Sequence, residues 1–82
     1  MTTNVRLAAR ITDGLFASER TATFDSADGE TSAFVHVSHV TPDAQAVLVH
    51  VLEEDTQFAL VHIPTQCGST VVKVPRSDLT QL

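Results

Sequence analysis

Short runs of apolar and β-branched residues, separated by polar or turn-forming residues such as Gly, Pro and Asp, follow one another along the chain. Val and Thr are β-branched, which stiffens χ1 and favours strands over helices. Six runs of five to ten residues have this character: residues 5–11, 20–25, 31–40, 46–52, 58–63 and 70–74. Regularly spaced strands joined by short loops predict an all-β domain.

The residues between the runs predict how the strands connect. Asp28-Gly29 separates the second run from the third and predicts a tight hairpin with a type I′ turn, whose two central residues both need positive φ. Pro42, Pro64 and Pro75 each end a run, because proline cannot donate a ladder hydrogen bond. The polar residues 53–57 predict the tip of a third hairpin.

The two ends of the chain are open to helical alternatives. Residues 3–9 contain Arg, Leu and Ala, which are good helix formers, so a short helix competes there with the first strand. Near the other end, Ser77 is suited to cap a single helical turn over residues 77–79. Neither segment is long enough to change the all-β assignment.

The length of 82 residues predicts a single domain over residues 1–82. A chain this small buries only about 60 % of the surface that its unfolded form exposes. We expect a five- to six-stranded antiparallel barrel or a compact sandwich, since closing a sheet removes edge strands that invite aggregation. The order of a looped first hairpin, a tight second hairpin, a third hairpin and a short terminal turn resembles an SH3-like barrel. Such barrels host many unrelated functions.

The net charge of the chain argues against negatively charged partners. Ten acidic residues against five basic ones give a formal charge of −5. This balance argues against nucleic acid, whose non-specific binding depends on Lys and Arg, and against an anionic membrane surface. No stretch approaches the ~18 apolar residues of a spanning helix, and the first residues lack the apolar core of a signal peptide. We expect a soluble, cytoplasmic protein, consistent with a lone cysteine, Cys67.

Three histidines have similar neighbours on the predicted strands. His36, His50 and His62 each lie between two β-branched residues. If Glu54 lies opposite Phe58 in the third hairpin, His50 lies opposite His62 with Cβ atoms ~5 Å apart. Two such imidazoles can share a metal ion, and His36 joins them if its strand lies alongside. The simpler interpretation, which we favour, is outward-pointing polar residues with no metal or cofactor, because no paired Cys/His spacing accompanies them.

Two other chemical features have simple interpretations. A nucleophilic Cys67 would need a nearby base, and His62 is five residues away but separated from it by a proline and a loop, so we interpret Cys67 as an incidental loop thiol. The acidic run over residues 53–55 suits a cation or a basic partner, but such a run is more often a solvated hairpin tip. It also lacks the alternating oxygen-ligand spacing of a calcium loop.

Four apolar residues are candidates for binding a partner. Leu15 and Phe16 lie in a predicted loop, where they either anchor a partner or fold back to plug one end of a barrel. With only four Phe residues available for the core, we favour the plug. The run over residues 46–52 is apolar on both faces. One face can pack into the interior of a barrel, but Leu48 and Leu52 on the other face would stay exposed unless a partner covers them.

Three functions follow from these features. The first is a non-catalytic protein-interaction module, which small β-domains often are. The second is a self-associating structural domain, because a thin core gains stability from oligomerisation. The third, a histidine-based metal-binding protein or small enzyme, is the least favoured, since the chain is short for a catalytic cleft. No sequence feature identifies a ligand, and we expect no enzymatic activity.

Overall fold

Eight strands in two antiparallel sheets make up the computed structural model, which describes residues 5–66 and 68–81. The strands are β1 (Val5–Ala8), β2 (Arg10–Asp13), β3 (Glu19–Ser26), β4 (Gly29–His36), β5 (Ala46–Glu54), β6 (Phe58–Thr65), β7 (Gly68–Pro75) and β8 (Leu79–Gln81). Within those residues the only helical elements are two 3-10 turns, Val37–His39 and Arg76–Asp78. The all-β prediction is confirmed.

The first predicted strand serves both sheets. The strand is interrupted at Ala9, which belongs to neither β1 nor β2, and the Ala9 amide donates to the carbonyl of Gln45 at 3.1 Å. Before this point β1 lies between β5 and β8 in the five-stranded sheet, of order β7-β6-β5-β1-β8. After it, β2 is an edge of the three-stranded sheet, of order β2-β3-β4. The helix alternative is therefore wrong for residues 5–8, while residues 3 and 4 lie outside the described part of the chain.

Two backbone hydrogen bonds join the sheets away from Ala9. The amide of Ala27, in the β3–β4 turn, donates to the carbonyl of Lys73 on β7 at 2.8 Å. The amide of Gln66, after β6, donates to the carbonyl of Phe34 on β4 at 3.0 Å. The sheets are thus linked by the chain at Ala9 and by hydrogen bonds near β4 and β7.

The β3–β4 hairpin forms where Asp28-Gly29 predicts it, but its turn differs. Ser26 pairs with Gly29, so the two turn residues are Ala27 and Asp28. Positive φ occurs at Gly29 (113°) and at neither turn residue, so the predicted type I′ turn is wrong. The Ser26 hydroxyl accepts from the Asp28 amide at 3.2 Å and donates to the Gly29 carbonyl at 2.7 Å, which closes the turn.

A β-bulge interrupts the β5–β6 hairpin. Val51 pairs with Val61, but Glu53 pairs with Leu60, so Leu52 is an extra residue on β5. A bulge leaves the extra residue unpaired and turns the side chains beyond it. The pairing of β5 with β6 therefore differs by one residue between the tip of the hairpin and its middle.

The C-terminal segment contains a strand that the sequence pattern does not reveal. The predicted helical turn is present in part, as the 3-10 turn Arg76–Asp78. The chain then extends as β8, in which Leu79 pairs with Leu7 of β1. Only three residues form β8, too few to show the alternation by which strands are recognised in a sequence.

The core lies between the two sheets and consists of alternate strand residues. Six of its eleven buried members are valines and one is a phenylalanine, so small branched side chains supply most of it. Its buried members are Val5, Leu7, Ala22, Phe24, Val35, Val47, Val49, Ala59, Val61, Ile63 and Val74.

Val61 and Val71 test which face of each strand is directed into the core. Val61 on β6 is fully buried, whereas Val71 on the neighbouring β7 is 51 % exposed. We expect Val61→Ala to lower the free energy of unfolding by about 2–3 kcal/mol, because it leaves a cavity. Val71→Ala should change it by no more than about 0.5 kcal/mol. Chemical denaturation of both variants measures this, and equal effects would contradict the assigned faces.

Candidate functional site

The loop between β2 and β3 presents two large apolar side chains to solvent. Leu15 is 80 % exposed and Phe16 is 67 % exposed. The prediction that they plug the interior is therefore wrong, since neither side chain enters the core. We call residues 14–18 the β2–β3 loop.

A buried carboxylate holds this loop from beneath. Glu19, at the start of β3, is only 5 % exposed, and its Oε1 accepts from the Leu15 amide at 2.6 Å. The Gly14 amide donates to the Glu19 carbonyl at 3.2 Å, and the Glu19 amide donates to the Phe16 carbonyl at 3.0 Å. A Cβ on Gly14 would lie 2.6 Å from Glu19 Cγ, so the close approach requires glycine at this position.

Arg20 and Val37 secure the same loop at its other end. The Arg20 guanidinium donates through Nη1 to the carbonyls of Ala17 and Glu19, at 2.9 and 2.8 Å. The Ser18 carbonyl accepts from the amide of Val37, a residue that is itself 39 % exposed. The backbone of the loop is thus held from several sides while its apolar side chains point outward.

The outward face of β5, β6 and β7 carries a second group of apolar residues. Val47 and Val49 of β5 are buried in the core, as the predicted two-faced strand requires. On the opposite face Leu48 is half-buried. Leu52, the bulge residue, is 52 % exposed, and Val71 on β7 is 51 % exposed. His50 on β5 and His62 on β6 also lie on this face, with His62 between β5 and Val71, so the exposed apolar residues are separate and do not form one continuous surface.

The acidic tip of the β5–β6 hairpin has a structural role. Hydrogen bonds from the amides of Phe58 and Gln57, both at 2.8 Å, hold the pKa of Asp55 below its ordinary value of 3.8. Glu54 forms an ion pair with Arg76 at 3.0 Å. A shallow cavity of about 280 Å³ opens beside the tip. Glu54 and Asp55 are thus engaged in contacts that hold the hairpin, and both are exposed, which fits the interpretation as a solvated tip.

The predicted pairing of His50 with His62 is confirmed. They lie opposite each other on β5 and β6, with ring centroids 5.9 Å apart. The assumption behind the prediction is wrong, because Glu54 lies opposite Ala59 rather than Phe58. The bulge at Leu52 cancels that error of one residue, so the pairing in the middle of the strands is as predicted.

His36 does not join this pair. It lies on β4 in the other sheet, where its Nδ1 contacts the Ser38 hydroxyl at 2.8 Å and accepts from the Ser38 amide at 3.0 Å. The predicted three-histidine arrangement is therefore wrong. Within residues 5–66 and 68–81, no three His, Cys, Asp or Glu side chains are grouped to hold a metal ion. Cys67, the candidate thiol, lies outside the described residues.

Comparison of the chain with protein-family models, curated proteins and solved structures finds no match. In the part of the chain that the structure describes, no helix is long and apolar enough to cross a membrane. Leu15 and Phe16 on the β2–β3 loop are the most exposed large apolar side chains among the described residues.

Replacing Asp55 tests the structural role of the acidic tip. A carboxyl whose pKa is lowered by folding stabilises the protein above its unfolded pKa, and that stabilisation is lost as pH falls through the folded value. We expect Asp55→Ala to lower the melting temperature at pH 7 and the difference from the wild type to shrink as the pH falls below about 4. Thermal unfolding monitored by circular dichroism measures both.

Asp28→Ala is the matched control, because Asp28 is also an exposed acid at a hairpin turn. It should change the melting temperature less than Asp55→Ala at pH 7. An Asp55→Ala deficit of constant size from pH 7 to pH 3 would rule out the carboxylate hydrogen bonds as its cause.

Proposed function

We propose that this chain is a non-catalytic protein-interaction module that binds its partner through the β2–β3 loop. The observation that carries the proposal is the exposure of Leu15 and Phe16, at 80 % and 67 %, on a hydrogen-bonded loop. Large apolar side chains that enter a partner's pocket supply much of the energy of protein–protein binding.

The fixed backbone of the loop supports this function energetically. A flexible loop must be ordered on binding, and that cost is subtracted from affinity. Here the Glu19 carboxylate and the Arg20 guanidinium already hold the loop through its backbone. Leu15 and Phe16 are thereby presented in a defined geometry before any partner arrives.

The chemistry of the surface indicates the kind of partner. The partner would offer an apolar pocket for Phe16 and a neighbouring contact for Val37, which is also exposed beside the loop. The net charge of −5 favours a basic rim around that pocket, because complementary charge speeds association and excludes wrong partners. It disfavours nucleic acid and anionic membranes.

We also propose that the two sheets form a partly open barrel of the SH3-like kind, in a cytoplasmic protein without enzymatic activity. The passage of one chain segment through both sheets at Ala9 supports the barrel. So do the hydrogen bonds from Ala27 to Lys73 and from Gln66 to Phe34. In such a fold the loops are the natural recognition elements, held by a rigid scaffold.

A displayed-peptide selection tests the binding function. Random peptides would be selected on the immobilised full-length chain, and the affinities of the recovered peptides measured for the wild type and for Leu15→Ser/Phe16→Ser. We expect at least about a thirtyfold loss of affinity in the double variant, the loss that corresponds to ~2 kcal/mol at a binding hot spot.

Leu52→Ser is the matched control, because Leu52 is also an exposed leucine but lies on the other sheet. It should change these affinities less than about twofold, which corresponds to ~0.4 kcal/mol. Peptides that bind the double variant as tightly as the wild type would overturn the assignment, as would a selection that yields no specific peptides.

Self-association is a second candidate function, favoured by exposed apolar side chains on the outward face of β5 and β7. Leu52 and Val71 are half exposed, and Leu48 on β5 is half-buried. A contact between two such faces would bury this surface in a dimer.

Sedimentation velocity over a range of concentrations tests this candidate. We expect a concentration-dependent dimer in the wild type and in Leu15→Ser/Phe16→Ser, and a monomer in Leu52→Lys, because a lysine on an apolar interface loses its hydration. A wild type that stays monomeric throughout would remove the candidate, and a dimer lost only in the loop variant would assign the contact to the loop instead.

A further inference from the structure

We propose that His50 and His62 form a two-histidine site for a divalent transition-metal ion, with Cu²⁺ bound most tightly. The two residues lie directly opposite each other on β5 and β6. Their ring centroids are 5.9 Å apart, and the ring planes are inclined at 49°. Histidine is the commonest metal ligand in proteins, so two facing imidazoles on a rigid sheet form a chelate.

The separation of the rings is close to what one shared ion requires. Imidazole nitrogens bind such ions at about 2.0–2.1 Å, which places two coordinated ring centroids ~4.5–5.2 Å apart for bond angles between 90° and tetrahedral. The observed 5.9 Å exceeds the tetrahedral separation by ~0.7 Å and the 90° separation by ~1.4 Å. Small rotations about the side-chain torsions close that gap without movement of the strands.

The backbone around the pair is fixed by the sheet. β6 lies between β5 and β7, and His62 pairs with His50 on one side and with Val71 on the other. A strand paired on both sides holds its Cβ atoms in place, so the two imidazoles meet without the loss of backbone freedom that a loop site would incur.

The number of ligands points to the class of ion. In the described part of the chain, no third His, Cys, Asp or Glu side chain joins the pair to complete a metal-binding group. An ion held here therefore keeps positions for water or for a group from another molecule. Two imidazoles with oxygen ligands suit the tetragonal geometry of Cu²⁺ and Ni²⁺, and Cu²⁺ stands highest in the general order of affinities.

A second histidine pair in the same chain is a natural internal comparison. His36 and His39 have ring centroids 6.4 Å apart, with the planes at 77°. The Nδ1 atom of His36 is already engaged by Ser38, and Nδ1 of His39 is buried, with no hydrogen-bond partner among the described residues. This pair offers a poorer chelate, so substitution of His39 removes a histidine while leaving the proposed site intact.

Copper titration of the untagged full-length chain tests the site. Isothermal calorimetry with Cu²⁺ would be performed on the wild type, His50→Gln, His62→Gln and His39→Gln. We expect at least about a tenfold weaker affinity in each of the first two variants, and less than about a twofold change in His39→Gln. Ni²⁺ and Zn²⁺ should bind more weakly than Cu²⁺ in the wild type.

Electron paramagnetic resonance of the Cu²⁺-loaded wild type supplies a readout that needs no variant. We expect couplings to two imidazole nitrogens in the wild type and to one in His62→Gln. A single coupled nitrogen in the wild type would overturn the proposal, even if a variant failed to fold. Affinity unchanged in both His50→Gln and His62→Gln, or lowered equally in His39→Gln, would overturn it as well.

Discussion

The architecture depends on one stretch of extended chain that is shared between two sheets. Leu7 on β1 is fully buried in the core, and Ile11 on β2 packs against the same core after the interruption at Ala9. β1 pairs with both β5 and β8, while β2 pairs with β3. Because each sheet alone has one apolar face to cover, this shared segment fixes how the two faces meet. The β2–β3 loop belongs to one of these sheets and the His50–His62 pair to the other.

The strands could be predicted from the sequence because their signals are local. Runs of apolar and β-branched residues separated by turn residues mark the strands of the β3–β4 and β5–β6 hairpins and β7. The division of residues 5–13 at Ala9 and the three-residue strand β8 were not predictable in the same way. Both depend on pairing with distant segments, since β8 is extended by its contact with β1 rather than by its own composition.

The candidate sites show the same limit. The pairing of His50 with His62 was predicted, yet the bulge at Leu52 that makes it correct has no signature in the local residues. The exposure of Leu15 and Phe16 was not predicted, because composition argued for placing scarce aromatic residues inside. Their orientation depends on the burial of Glu19, a charged residue expected at the surface that instead binds the Leu15 amide.

The way in which the β2–β3 loop is held separates its shape from its recognition surface. Leu15 contributes its amide to the Glu19 carboxylate and Phe16 contributes its carbonyl to the Glu19 amide, so these hydrogen bonds use backbone atoms of the two residues. The close approach at Gly14 and the side-chain hydrogen bonds of Glu19 and Arg20 hold the loop in its shape. Side chains at positions 15 and 16 are therefore exchangeable without loss of the supporting contacts. The loop is a ready-made scaffold for altered specificity, in evolution or in a laboratory library, with two variable positions on a constant base.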